Sequence, residues 1–130
     1  MKRSVAAYSE GSRAFQARTH KELILRLRAM YSKNKITCSY YGMASVELWN
    51  MHEEGKLPGI KRVAKSNSVY RDGMGHAGDV LLTVAGLVWL NTIYGIDIAN
   101  VKPAKVNFKF DYKAVAAKVI ALDKEHNPVK

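Results

Sequence analysis

The feature that most constrains this chain is its longest apolar stretch, in the second half of the sequence. Residues 76–94 are apolar on nearly every side of a helix, and Gly95 follows at the position where helices commonly end. A helix with so little polar surface is typical of the middle of a bundle or of a subunit interface. Its most apolar part, residues 80–90, is shorter than the roughly 20 residues of a membrane span. We therefore predict a buried core helix and no membrane anchor.

Two more helices are predicted from apolar side chains at helical spacing. Residues 12–33 place leucines, Met30 and Tyr31 among arginines and lysines, which indicates an amphipathic and basic helix. Residues 41–54 form another helix, because Gly55 and the turn at residues 58–59 follow its carboxyl end.

The last segment, residues 99–124, allows two interpretations. Residues 106–112 alternate between apolar and polar side chains, as a strand does. The apolar side chains of residues 101–115 also fall on one face of a helix. The predicted fold is an all-α bundle of about four helices, and a short β element is allowed near residues 60–72 or 104–112.

Length and composition favour one folded domain. The chain has 130 residues, a common size for a single domain, and 48% of them are apolar. We expect the polar residues 1–12 to fray. Cys38 is the one cysteine, so an internal disulfide is excluded, and the basic amino terminus lacks the apolar run of a signal peptide. These features predict a single-domain cytoplasmic protein.

The charge of the chain narrows the choice of partners. Lysines and arginines number 21 against 11 acidic residues, which gives a formal net charge of +10. A field of that sign attracts polyanions and speeds their arrival. The candidate partners are a nucleotide or other phosphate-bearing ligand, nucleic acid, and an acidic protein.

Two carboxylates stand in apolar surroundings. Asp79 lies near the start of the most apolar helix, where an ionised group is costly unless it is paired or sits in the favourable first turn. His76, three residues earlier, would share its face. Glu47 is flanked by apolar residues and would face the same way as Glu54, seven positions later. Carboxylates held inside a bundle are candidate ligands for a hard metal ion.

Four motifs follow one another along the chain: GMASVEL at residues 42–48, GDVLL at 78–82, YGIDI at 94–98 and NFKFDYK at 107–113. Taken in order, they resemble the MazG-like superfamily of all-α nucleoside triphosphate pyrophosphohydrolases. The resemblance implies a helical bundle, usually dimeric, and it favours a helix for the last segment. It also implies that carboxylates hold Mg²⁺ against the substrate phosphates while water attacks to release a monophosphate and pyrophosphate.

The resemblance assigns roles to particular residues. Glu47 and Asp79 match two of the family's four acids and are the implied catalytic residues, whereas Ala44 and His76 stand where the other two acids belong. Either a nearby acid completes the Mg²⁺ site or the site is lost, so enzymatic activity is left open. The metal-ligand candidates are Glu47, Asp79, Glu54 and His76, with Asp72 and Glu10 as further substitutes. The implied phosphate-binding residues are Lys105, Asn107, Lys109 and Lys113.

A DNA-binding module is the alternative. Residues 43–49 followed by residues 54–59 resemble the end of an excisionase-like winged helix-turn-helix, in which a recognition helix precedes a basic wing. Against it, the preceding helix would be only residues 38–42, and the recognition helix has few base-reading side chains. The basic residues that would contact phosphates are Lys56, Lys61, Arg62, Lys65 and Arg71.

Overall fold

The computed structural model describes residue 11 and residues 14–39, 41–64, 68–103 and 106–126. In this part of the chain we number four helices: α1 (Lys21–Met30), α2 (Tyr41–Glu53), α3 (Asp79–Tyr94) and α4 (Tyr112–His126). A π-helical turn, Gln16–His20, leads into α1, and a 3₁₀ turn, Ile98–Asn100, follows α3. No β-strand occurs in these ranges, so the predicted all-α bundle of about four helices is confirmed.

The core lies between α2, α3 and α4, which all pack against one another. Val80, Val84 and Val88 of α3 are completely buried, and their spacing of four residues places them on one face. Leu48 of α2 and Val119 of α4 are buried opposite them in the same cluster. Because burial of apolar surface is the dominant favourable term in folding, these three helices form the frame that positions every site described below.

The third helix begins later than the sequence predicts. It starts at Asp79, because Gly78 before it is extended and its backbone N–H donates to the carbonyl oxygen of Val69. His76 therefore lies in the preceding loop, and the predicted helix face shared with Asp79 is not formed. The carboxyl end agrees with the prediction, since Gly95 adopts the left-handed conformation that commonly terminates helices.

One side of α3 is buried in the core as predicted, and the other side is exposed in the single chain. Leu82, Trp89 and Ile93 lie on that side at helical spacing, together with Gly86. They border an apolar groove with a volume of about 630 Å³. The reason is geometric, because α2 and α4 cover only the opposite side of the helix.

The segment between α2 and α3 contains isolated β-bridges in place of the predicted short β element. Tyr70 bridges to Ala64 and to Ala77, and its backbone N–H donates to the carbonyl oxygen of Val63 at 2.7 Å. Val69 beside it is completely buried, which fastens this irregular segment to the helical core.

The first half of the last segment is irregular. The aromatic side chains of residues 106–111 are half-buried and the polar ones between them are exposed, so the alternation in the sequence reflects alternate burial without a paired strand. α4 begins only at Tyr112, and the side chain of Asp111 accepts a hydrogen bond from the Ala114 N–H at 2.9 Å, as helix-capping residues do. The helix that the resemblance favours is therefore wrong for residues 106–111, and residues 104–105 lie outside the described ranges.

α1 and the helical residues 14–20 before it agree with the helix predicted for residues 12–33, except that the helix ends three residues early, and α1 is mostly exposed. It ends at Met30, and Ile24 is its buried residue. The chain then returns along the helix, where Arg28 Nε donates to the carbonyl oxygen of Ile36 at 3.0 Å, and Cys38 packs against the core. Residues 1–10 and 12 of the predicted frayed terminus lie outside the described residues. Within the described ranges, every helix is too short or too polar to traverse a bilayer.

Candidate functional site

Glu47 is the buried carboxylate of the described part of the chain, with 2% of its surface exposed. Its Oε2 accepts a hydrogen bond from Lys118 Nζ of α4 at 2.5 Å. The two residues are 71 positions apart in the sequence, so only the packing of α2 against α4 brings them together. A buried carboxylate is costly unless a cation or donors satisfy it, and Lys118 supplies a cation here.

A cleft beside the start of α3 gathers three of the predicted site residues, and we call it the Asp79 cleft. Asp79 borders it from the first turn of α3, and Asn107 and Lys109 border it from the irregular segment before α4. Its volume of about 530 Å³ is within the usual range for small-molecule sites. The remaining wall is formed by Pro58, Gly59, Ile60, Phe108 and Phe110. The two phenylalanine rings are stacked, with centroids 5.5 Å apart.

The other predicted phosphate-binding lysines do not line this cleft in the described residues. Lys113 Nζ donates to the carbonyl oxygen of Ala99 at 2.7 Å, and this hydrogen bond connects the first turn of α4 to the 3₁₀ turn. Lys105 lies outside the described ranges. Lys109 is exposed and is therefore the lysine best placed to meet a ligand in the Asp79 cleft.

His76 pairs with Asp72 in the loop before α3. Asp72 Oδ2 lies 2.6 Å from His76 Nδ1, while Asp72 Oδ1 accepts hydrogen bonds from the backbone N–H groups of Met74 and His76 at 2.9 and 3.3 Å. The hydrogen bond from the His76 side chain is the main reason that the pKa of Asp72 is held below its ordinary value. Both residues border a second cavity, which we call the aromatic pocket because Tyr41, Trp49 and Tyr70 line it.

Glu54 lies on the surface beyond the end of α2. Its carboxylate forms an ion pair with Lys56 Nζ at 2.7 Å, and both side chains are more than half exposed. The hydrogen bond from Lys56 lowers the pKa of Glu54 from its ordinary value. Glu54 therefore does not join Glu47 in a buried site, although the two residues are seven positions apart.

The basic residues of the DNA-binding alternative lie in and around the loop between α2 and α3. Lys61, Arg62 and Arg71 are exposed, and Lys65 lies outside the described ranges. The helix proposed for recognition is α2, and residues 43–44 and 46–48 of that helix are buried in the core. A recognition helix has to present one face to the groove of DNA, so the packing of α2 gives that arrangement little support.

The predicted metal ligands do not converge. Glu47 contacts Lys118, Asp79 borders its cleft, and His76 contacts Asp72. Within the described ranges, no group of three or more His, Cys, Asp and Glu side chains is close enough to hold a metal ion. Mg²⁺ prefers octahedral oxygen coordination, so the described residues do not form the four-acid Mg²⁺ site that the resemblance implies, and we derive no reaction step through a metal ion.

Comparison with known proteins adds no relative. The chain shows no significant match to any protein family, any characterised protein or any solved structure with which it was compared.

Two parts of this arrangement have no clear sequence signal. Lys118 lies beside the buried Val119 in α4, and nothing local indicates that its amine reaches Glu47 of α2. Trp49 and Tyr70 lie on separate elements, and nothing in their spacing along the chain indicates that they line one pocket. Contacts of this kind depend on how helices and loops pack, which periodicity does not report.

Proposed function

We propose that the protein binds a nucleotide in the Asp79 cleft, as a relative of the MazG-like proteins that has lost their metal-dependent hydrolysis. The observation that carries this proposal is the convergence of Asn107, Lys109 and Asp79 on one cleft with an aromatic wall. These three residues come from two distant segments, and the resemblance to MazG-like proteins names all of them independently.

The lining of the Asp79 cleft supplies what a nucleotide needs. The Lys109 ammonium is a point charge for phosphate oxygens, and the Asn107 amide can donate to a phosphate or to a base. The Asp79 carboxylate can accept hydrogen bonds from sugar hydroxyls or a base amino group. Phe108 and Phe110 offer apolar surface to a base, and the net charge of +10 favours the approach of phosphates.

The Glu47–Lys118 pair supports the loss of metal chemistry. In a metal site, Glu47 would present its carboxylate to a cation shared with other acids. Here Lys118 Nζ contacts that carboxylate, and Asp79 lines a cleft that Glu47 does not line. The amine already compensates the buried charge, so Glu47 has no need of a metal ion to be stable in the core.

The test is a calorimetric titration with nucleoside triphosphates and with inorganic tripolyphosphate. Lys109→Ala should weaken binding of both by about tenfold, because one charge-assisted hydrogen bond to phosphate is removed. Lys102→Ala is the matched control, since Lys102 is an exposed lysine outside the lining of the cleft. The proposal is wrong if neither ligand binds, or if Lys109→Ala binds both as tightly as the unaltered protein.

Nucleic acid is the second candidate ligand, and the exposed Lys61, Arg62 and Arg71 favour it. Their side chains would contact the phosphate backbone, which gives affinity without sequence preference. Binding measured by fluorescence anisotropy should then weaken steeply as salt is added, because condensed counterions are released on binding. A duplex that does not bind at low salt would remove this candidate.

A homodimer through the exposed side of α3 is part of the same proposal. Leu82, Trp89 and Ile93 form an apolar surface there, and contiguous apolar patches of that kind often mark an interface. Sedimentation velocity should show a dimer that Ile93→Lys converts to a monomer. A chain that sediments as a monomer at every concentration would contradict the dimer without affecting the Asp79 cleft.

A further inference from the structure

The aromatic pocket is a cavity separate from the Asp79 cleft. Tyr41, Ser45 and Trp49 of α2 line one side, and Tyr70, Asp72 and His76 of the loop line the other. Its volume of about 660 Å³ is in the range of small-molecule sites, and none of these six residues lines the Asp79 cleft. The two cavities can therefore be tested independently.

The walls of the aromatic pocket suit a planar ring. The rings of Trp49 and Tyr70 lie with centroids 6.1 Å apart and planes at 70°, so they meet as a corner. A third ring that enters such a corner can stack on the face of one ring and direct its own edge at the face of the other, and aromatic rings prefer both arrangements. Tyr41 adds a further aromatic side chain that is 49% exposed.

The polar side of the aromatic pocket offers hydrogen bonds to the edge of a ring. Asp72 occupies His76 Nδ1 at 2.6 Å, which leaves Nε2 as the imidazole nitrogen for a ligand. Ser45 Oγ donates to the carbonyl oxygen of Gly42 at 2.7 Å, so its lone pairs remain as acceptors. Donors and acceptors placed at the rim of aromatic walls recognise heteroaromatic rings better than plain hydrocarbon rings.

The charges around the aromatic pocket select against a phosphate. Its described lining contains no lysine or arginine, and it does contain the Asp72 carboxylate. Arg71 Nε lies 3.8 Å from Asp72 Oδ2, and His76 contacts the same oxygen, so a cationic ligand would find this carboxylate already engaged. The chemistry fits an uncharged ligand.

We infer that the aromatic pocket binds the uncharged heteroaromatic ring of a nucleoside, stacked in the corner of Trp49 and Tyr70 and hydrogen-bonded at its edge by His76. This inference does not depend on phosphate binding in the Asp79 cleft. It gives the chain a second ligand site, which takes a ring without phosphate.

Trp49 fluorescence provides the test. The chain has two tryptophans, so Trp89→Phe leaves Trp49 as the single reporter. Titration of this variant with adenosine, guanosine, cytidine and uridine should give a saturable change with at least one of them. Adding His76→Ala should weaken that binding by about tenfold, because the hydrogen bond to the edge of the ring is lost. Tyr94→Ala is the control, since Tyr94 is exposed on α3 outside the aromatic pocket.

Two results would overturn the inference. One is the absence of saturable binding by all four nucleosides to protein whose circular dichroism shows it to be folded. The other is binding that tripolyphosphate displaces and that Lys109→Ala weakens while His76→Ala does not, because the ring would then occupy the Asp79 cleft. Tripolyphosphate that fails to bind, beside a nucleoside that does bind through His76, would sustain the aromatic pocket and sink the proposed nucleotide site.

Discussion

The contact between Glu47 and Lys118 gives a residue with a predicted catalytic role a structural one. The carboxylate is buried between helices, whereas the Lys118 side chain is 63% exposed and brings only its amine to the carboxylate. When only one partner of an ion pair is buried, removing the exposed cation destabilises the fold, because it leaves a desolvated negative charge in the core. The pair therefore contributes to stability at a position where the MazG-like resemblance implies catalysis.

Lys118→Met tests this contribution, since it keeps most of the apolar stem and removes the charge. We expect the free energy of unfolding to fall by about 2 kcal/mol, less than for a fully buried pair because water reaches Lys118. Urea unfolding followed by circular dichroism measures it, and Lys102→Met, at an exposed lysine outside the helices, should cost about 0.5 kcal/mol or less. Adding Glu47→Gln to Lys118→Met should recover part of the loss. Equal stability of Lys118→Met and the unaltered protein would contradict the account.

The hydrogen bond with His76 lowers the pKa of Asp72 and so makes part of the stability depend on pH. Because the folded pKa of Asp72 is lowered, its contribution to stability is present above the ordinary carboxyl pKa and is lost as pH falls through the lowered value. His76→Ala removes the main cause and should raise the pKa of Asp72 towards its ordinary value. A carboxyl-carbon NMR titration measures this shift, with His52→Ala as the control. An unchanged Asp72 pKa in His76→Ala would refute the pairing.

At the scale of whole elements, Gly78 and Gly86 have opposite effects on the stability of α3. A Cβ at Gly78 would clash with the backbone carbonyl of Ser68, which belongs to the segment fastened against the start of α3. A Cβ at Gly86, on the exposed side of the helix, would meet open space. Close approach of two backbones requires glycine at the first position, whereas helix propensity disfavours it at the second.

Alanine substitutions separate these two roles. Gly78→Ala should lower the free energy of unfolding by about 3 kcal/mol, since the clash falls on backbone that cannot move aside as a side chain would. Gly86→Ala should raise it by about 0.5–1 kcal/mol through helix propensity. The midpoint temperature of thermal unfolding should thus fall in Gly78→Ala and rise in Gly86→Ala. A stable Gly78→Ala variant would show that residues 68–70 do not pack against α3 in the way described.

The elements that the sequence predicts well are those set by local patterns. The apolar spacing of α2 and α3 and the terminating Gly95 report helices directly, because each signal lies within the element. The structure of the irregular segment before α4 is harder to predict, because alternate burial of its side chains against the core gives the same pattern as a strand. The position of His76 is mispredicted for a related reason. Hydrogen bonds to residues 68–69 fix where α3 begins, and no local signal in the sequence marks that start.

On the scale of the whole molecule, the candidate sites are assembled from segments far apart in sequence. Asp79 and Lys109 border one cleft, whereas Glu47 contacts Lys118 and His76 contacts Asp72. The structure thus brings two of the predicted site residues to one cavity, and it does not bring the predicted metal ligands together within the described ranges. Side-chain direction explains the difference, since it depends on helix rotation and loop path that no spacing rule specifies.

We propose that this bundle binds a nucleoside triphosphate without needing a metal ion and without cleaving it. The most direct measurement is an equilibrium titration with each common triphosphate in the presence of EDTA and again with Mg²⁺, followed by ion-exchange separation of the nucleotides. We predict saturable binding in EDTA, the same triphosphate recovered intact in both conditions, and weaker binding by Lys109→Ala. Binding that appears only with Mg²⁺, accompanied by monophosphate and pyrophosphate that Asp79→Asn abolishes, would contradict the claim.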